Sequence, residues 1–171
     1  LSTQRLRLAP LDASHAEGPY RNWMNDPDVV RWLETRDRSF SVRDLVEFIE
    51  AQNANALVHL FGMFLQDDGR HIGNIKIGPL DTKHSRGDIG LLIGERSCWG
   101  QGFAREAIAG IADYGLGPLG LHKITAGCYA ENEGSRRAFL AAGFTQEGVR
   151  RAHLWNDARW HDEYLFAKFA A

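Results

Sequence analysis

The sequence predicts an α+β domain built on a mixed central sheet of about seven strands, with helices on both faces. Three observations carry that reading. An early set of alternating or continuous apolar runs is separated by tight turn signals, as in an antiparallel meander. Two later runs each pass through a small-residue loop into a helical pattern, and two final runs are joined by one turn. The chain has 171 residues, 44% hydrophobic and 25% charged, with no composition shift, so one domain over residues 1–171 is expected.

In order, Arg5-Leu-Arg-Leu-Ala-Pro-Leu11 alternates and opens the sheet. Asp12 is placed to cap a helix running through Tyr20 to Met24, which Asn25-Asp-Pro-Asp28 breaks. Pro27 starts a short helix over Val29 to Leu33. Ser41-Val-Arg-Asp44 has the form of a capping box ahead of Leu45, Val46, Phe48 and Ile49 at helical spacing. Val58 to Leu65 and His71 to Ile77 are strands joined at Gln66-Asp-Asp-Gly69. Gly87 to Ile93 and Lys123 to Tyr129 each feed a helix, and the helix between them makes their pairing parallel. Thr145 to Leu154 and Arg159 to Phe169 close the sheet around a turn at Asn156-Asp157.

The most informative stretch runs from Gly87 to Ile108. A buried strand leads through Gly94-Glu-Arg-Ser-Cys-Trp-Gly-Gln-Gly102 into the helical pattern Phe103-Ala-Arg-Glu-Ala-Ile108. Such a loop presents an open helix N-terminus, whose free amides and dipole favour an anion, and Gly100 and Gly102 clear the approach. No Lys or Thr follows the glycines, so this is not a nucleotide P-loop, and the spacing fails the dinucleotide fingerprint. A diphosphate is the natural ligand; without one the segment is simply a tight strand-to-helix turn. Further on, Asn132 caps a second helix, with Ser135 in its first turn, Ala138, Phe139 and Ala142 on its apolar stripe and Gly143 at its end. Capping alone also accounts for that pair.

These two segments resemble the GNAT superfamily of acyl-CoA-dependent N-acetyltransferases, specifically the branch of the ribosomal-protein N-terminal acetyltransferases. Trp99-Gly-Gln-Gly-Phe-Ala104 resembles the branch's pyrophosphate loop, with Trp99 where the wider superfamily has Arg or Gln. Asn132-x-x-Ser135 and the closing Gly143-Phe144 resemble its second motif, and the likeness extends from Thr3-Gln-Arg-Leu-Arg-Leu8 to the last strand. The resemblance implies central parallel strands that splay apart and hold acetyl-CoA between them. It places cofactor contacts at Leu92, Ile93, Trp99, Gly100, Gln101, Gly102, Phe103, Ala104, Asn132 and Arg137. It gives the Ile93 amide an oxyanion role and Ser135 the leaving-group role, since the Tyr used elsewhere is here Phe139. The branch's carboxylate base falls on His153, with Glu95 as a second choice. Tyr20 to Glu34, and Ile72-Gly-Asn-Ile-Lys-Ile-Gly-Pro79, resemble GNAT enzymes encoded with nucleotide-sugar pathways. Acceptor contacts are therefore expected at Trp23, Asn25, Asp26, Asn74 and Trp155, although Trp23 and Trp32 also suit a core.

Composition narrows the classes. A net charge of −2 gives no general attraction to nucleic acid or an anionic membrane. Two cysteines, Cys98 and Cys128, make no disulfide framework, and no His or Cys spacing calls for a metal. Cys98 lies in the loop, as a small apolar residue or a thiol activated by helix amides. No run has transmembrane length and the first residues lack a signal-type apolar core, so a cytoplasmic protein, monomeric or homodimeric, is expected.

Acceptor chemistry follows from amine basicity. An α-amino or sugar amine with a pKa near 8 is roughly one-tenth neutral at pH 7, whereas a lysine near 10.4 costs about 4 to 5 kcal/mol to deprotonate. With no obvious buried Glu pair, the sequence favours the lower-pKa amine. The reading is N-acetylation of a small-molecule amine, an amino-sugar nucleotide first. The alternatives are a (ribosomal) protein N-terminus and, in another class, a catalytically weak acyl-CoA-binding module.

Overall fold

The apolar runs become seven strands in a computed structural model that describes residues 1–170. They are β1 (Leu6–Pro10), β2 (His59–Leu65), β3 (His71–Ile77), β4 (Arg86–Ile93), β5 (Lys123–Tyr129), β6 (Thr145–Asn156) and β7 (Arg159–Phe169). They form one sheet in the order β1-β2-β3-β4-β5-β7-β6, antiparallel except for β4 with β5. The expected meander, parallel step and terminal hairpin are all present.

Five helices cover both faces: α1 (Pro19–Met24), α2 (Pro27–Val30), α3 (Val42–Ala54), α4 (Phe103–Leu116) and α5 (Glu133–Ala141). The Ser41–Asp44 capping box forms with both reciprocal bonds and starts α3. Asp12 caps only a single 3-10 turn, Ala13–Ala16. Gly18, at φ 71°, then resets the chain, and Pro19 begins α1 afresh. The one helix expected from Asp12 to Met24 is therefore two elements, because Pro19 supplies no amide to a continuing helix. The second helix, α2, also differs from the expectation, starting at Pro27 and ending at Val30 rather than Leu33.

Side chains alternate across the sheet and build two apolar layers. Leu6, Leu8, Ile75, Ile77, Ile89, Ile124, Ala126 and Phe166 pack beneath α4 and α5, which contribute Ile108, Ile111, Ala138 and Phe139. On the opposite face, Leu11, Tyr20, Trp23, Val30, Leu45, Ile49 and Leu60 pack under α1, α2 and α3. That second layer stops at β4, with Leu92 packed at its border. The β4–β5–β7 part of this face is left polar, carrying Asp88, Thr125, Gly127 and Glu163.

Candidate active site

β4 and β5 are paired over only three positions, Arg86 with Lys123, Gly87 with Ile124 and Asp88 with Thr125. Beyond these roots both strands continue, to Ile93 and Tyr129, without pairing to each other. This is the splay that the resemblance implied. The register with β3, in which Gly78 N–H donates to Asp88 O and Gly94 N–H to Ile72 O, turns every second residue of β4 toward β3. Leu91 and Ile93 are the other set, so their amides face the gap. Leu92 lies opposite Asn74 and spends its main chain on β3, which leaves Leu91 where the sequence pointed to Leu92.

At the end of β4 the chain turns through a short 3-10 segment, Arg96–Cys98, into the loop before α4. Gly100 and Gly102 have φ of 72° and 82°, the left-handed region that side chains disfavour. A Cβ on Gly100 would meet nothing within 4 Å, and one on Gly102 only Arg5 Nη2 at 3.6 Å. The glycines serve the backbone path and the space outside it, not internal packing. Gly102 is the N-cap of α4 and supplies no side-chain bond, so the amides of Phe103, Ala104 and Arg105 begin the helix without an intrahelical acceptor. Trp99 Nε1 donates to Ile93 O at 2.8 Å, tying the loop to the strand end. Arg5, just before β1, braces it by donating to Gln101 O at 3.0 Å and to Glu106 at 2.7 Å while lying 4.2 Å over the Phe103 ring. Open amides, two clear glycines and a cation beside them fit a diphosphate. Cys98 is buried in the core.

α5 begins differently. Asn132 Oδ1 accepts from the Ser135 amide at 3.1 Å, closing this helix mouth with its own side chain. The Ser135 hydroxyl lies beside the Cys128 thiol, which burial pushes up to about 11, so Cys128 stays protonated near neutrality. Phe139 is fully buried, stacked on Phe166. Arg137 lies on the exposed side of α5, paired with Glu133 at 2.8 Å.

The polar face across the sheet holds residues that the sequence reading missed. Asp88 accepts from Thr125 Oγ1 at 2.7 Å at the root of the splay. Water reaches it, yet crowding on the groove floor raises its pKa, with the Thr125 bond opposing. Glu163, opposite Tyr129 on β7, holds Arg150 Nη1 at 3.0 Å and lies 3.7 Å from His153 Nε2. His153 is 48% exposed and sits in a bulge where three residues, Arg151 to His153, oppose Asp162 alone. Ala152 in that bulge takes φ 46°, a strained turn that re-aims His153. At the end of β5, the Tyr129 hydroxyl donates to Glu34 at 2.6 Å and accepts from Arg36 at 2.9 Å. Arg36 also donates to Trp155 O at 2.6 Å, joining the segment after α2 to the β6–β7 hairpin. No local pattern marks Glu34, Arg36 or Glu163; strand pairing sets Glu163 opposite Tyr129, and side-chain bonds to Tyr129 draw in Glu34 and Arg36 from the turn after α2.

Several early-chain residues have structural work. Trp23 is 6% exposed and packs over Gly94 and against His71, so it props the end of β4 from beneath and offers no open face to a ligand. Asn25 uses its whole amide, donating to Arg21 O and Phe40 O and accepting from the Phe40 amide. Asp26 caps α2 and lies 3.4 Å from Arg96. Asn74 is buried, with Oδ1 2.8 Å from His71 Nε2 and its amide nitrogen unpartnered. Glu95 accepts from the Ser97 hydroxyl and amide, which lower its pKa, so it is a cap and not a poised base. Trp155 is 53% exposed and stands edge-on to Trp160. Among the described residues there is no cluster of three or more His, Cys, Asp or Glu placed to hold a metal, and no helix long and apolar enough to cross a membrane.

A splayed mixed sheet with an uncapped helix beside the gap is the architecture of an acyl-CoA-dependent N-acetyltransferase, and residues 5–145 match the acetyltransferase (GNAT) domain family. The chain belongs to that family and is an acyltransferase that uses acetyl-CoA. It is 31% identical to the uncharacterized N-acetyltransferase YoaA of Bacillus subtilis, over 98% of this chain and 94% of that one. It is 28% identical, with the same coverage, to the uncharacterized N-acetyltransferase p20 of Bacillus licheniformis. Among solved structures, a ribosomal L7/L12 alpha-N-protein acetyltransferase in complex with coenzyme A superposes with a TM-score of 0.87 at 16% identity, covering 98% of this chain and 96% of that one. Spermidine N-acetyltransferase from Vibrio cholerae, with CoA and spermine, gives 0.86 at 21% identity, covering 96% and 95%. At such identities the superpositions speak for the fold alone.

Proposed function

We propose that this enzyme acetylates the primary amine of a small molecule, with an amino-sugar nucleotide as acceptor. The observation that carries the acceptor class is the pair Trp155 and Trp160 at the tip of the β6–β7 hairpin. They are 53% and 60% exposed, with ring centroids 5.1 Å apart, and the same hairpin carries Arg151, paired with Asp162, and Arg159, 3.6 Å from Glu131. Indole faces suit a nucleobase, and guanidinium groups suit its phosphates. A neighbour in fold, the microcin C7 self-immunity acetyltransferase, is a complex with acetyl-CoA and AMP, and AMP belongs to the ligand class proposed here.

In this reading the α4 amides and the Gly100–Gly102 loop hold the diphosphate. The gap-facing amides of Leu91 and Ile93 meet the pantetheine arm and the thioester oxygen, where a fixed donor stabilises developing charge. The amine nitrogen attacks the thioester carbon, the C–S bond breaks, and Ser135 guides a proton to the departing sulfur. His153 carries the ammonium proton toward water. The test is acetyl-CoA turnover with amino-sugar nucleotides, N-terminal ribosomal peptides and polyamines in parallel. Preference for the nucleotides, lost in Trp155→Ala through acceptor KM alone, supports the reading. Acetylation of the peptides alone would replace it with N-terminal acetylation, and binding of acetyl-CoA without turnover would leave an acyl-CoA-binding module.

A further inference from the structure

We infer that Glu163 is the group that first takes the acceptor's ammonium proton, with His153 behind it as the outlet to water. This rests on the acetyl-transfer reading above and moves the base inward by one side chain. Alternation along β5 puts Cys128, beside Ser135, on the α4–α5 face and puts Gly127 and Tyr129 on the other. Ser135 and Glu163 therefore flank the splay from opposite faces, so that acid and base need not compete for one space.

The placement of Glu163 depends on an absent side chain. A Cβ built on Gly127 would collide with Glu163 Oε1, so the carboxylate reaches across β5 where a glycine leaves room. Its two oxygens are used unequally. Oε2 faces two side chains of β6, Arg150 at 3.0 Å and His153 at 3.7 Å. Oε1, the oxygen over Gly127, accepts no hydrogen bond from any described residue. The side chain is 16% exposed, sheltered but reachable. Its other charged or titratable neighbours are Asp88 from β4, with Lys76 of β3 near that carboxylate, and Cys128 and Tyr129 from β5. A carboxylate with one oxygen pinned by arginine and the other free has the geometry of a proton acceptor.

The step balances. R–NH3⁺ gives one proton to Glu163, and the freed lone pair forms the C–N bond as C–S breaks. The second nitrogen proton ends on sulfur, giving amide and CoA thiol, and the proton on Glu163 leaves past His153 to water.

The experiment compares Glu163→Gln, Gly127→Ala and His153→Ala with the parent, in kcat/KM from about pH 6 to about pH 10, on whichever amine of the panel is turned over. Glu163→Gln should lose about 100-fold near neutrality, and the loss should shrink to within about threefold above the amine's own pKa, where the base has no proton to remove. Acetyl-CoA affinity by calorimetry should be unchanged. Gly127→Ala keeps the carboxylate but displaces it, and should reproduce the same pH-dependent loss; His153→Ala should lose less. Enzyme-catalysed hydrolysis of acetyl-CoA, which needs a base but no amine, should fall in Glu163→Gln as well, so a wrong acceptor class does not hide a correct base. A pH-independent loss, a near-normal Glu163→Gln, a fully active Gly127→Ala, or a larger loss in His153→Ala would each overturn the inference.

Discussion

The two strand–helix units at the centre of the sheet share a topology and differ at one residue each. α4 starts on Gly102, which has no side chain to cap it, and α5 starts on Asn132, whose carboxamide takes the Ser135 amide. The first helix leaves its amides for something outside the protein, and the second satisfies its own. Water can satisfy an open helix end, so the 14-residue α4 stands without a side-chain cap while its first amides stay available to an anion. In the proposed reading that anion is the diphosphate of acetyl-CoA. The closed mouth holds Ser135 in a fixed place beside the gap, which a mobile, ligand-dependent end would not do.

The largest expected effect breaks the open mouth. Gly102→Asp places a carboxylate among the α4 amides in a backbone conformation that Asp tolerates. Without ligand the helix dipole favours that charge, so thermal stability should hold or rise slightly. With a diphosphate only a few ångströms away, affinity for CoA should fall about 100-fold or more by calorimetry. Loss of fold together with affinity would show that Gly102 serves the turn alone. At the closed mouth, Ser135→Ala keeps the Asn132 cap, since that bond uses the Ser135 amide. Its kcat should fall about tenfold to a hundredfold with CoA affinity unchanged. The lower end of acid catalysis is expected because a thiolate with a pKa near 8.5 is also protonated by water. A normal kcat would reduce Ser135 to a structural residue.

What sequence could show follows the same division. The α4 mouth is contiguous: strand, glycines and helix follow one another from Arg86 to Leu116, and their pattern points to an anionic ligand and to the residues proposed to hold it. The α5 mouth is contiguous too. The acceptor face is not. Glu163, Arg150, Asp88 and Tyr129 come from four strands, and the register that aligns Gly127 beneath Glu163 is set by pairing across some forty residues. His153 comes from the resemblance alone, and its direction depends on a bulge that the alternation of β6 does not announce. Trp23 and Asn25 misled because a polar–aromatic segment near a site has the same composition whether it faces ligand or props the strand beneath it.

A smaller effect tests the cap itself. Asn132→Ala should cost about 1 kcal/mol, a fall in Tm of roughly 2–4 °C, and should also loosen Ser135 enough to lower kcat. No matching loss exists at α4, where there is no side-chain cap to remove. Unchanged Tm would mean that the β5–α5 packing, not the carboxamide, fixes this end.

The smallest effect lies where the two units still touch, at Asp88. Its carboxyl titrates above the ordinary aspartate value because burial disfavours the charge more than the Thr125 bond favours it. Folding therefore favours the protonated form. The stability that Asp88 contributes is complete below the unfolded-chain pKa near 3.8 and is lost as pH rises through the raised folded value. Asp88→Asn removes the charge and keeps the shape, so its Tm should exceed the parent's at pH 7 and converge with it in acid. Water reaches the groove floor and screens the charge, which limits the gain to about 2 °C. The measurement is a pair of thermal melts, near pH 7 and near pH 3.5. A lower Tm for Asp88→Asn at pH 7 would mean that the bond from Thr125 outweighs desolvation, and that the root of the splay is held by an ionised carboxylate rather than in spite of one.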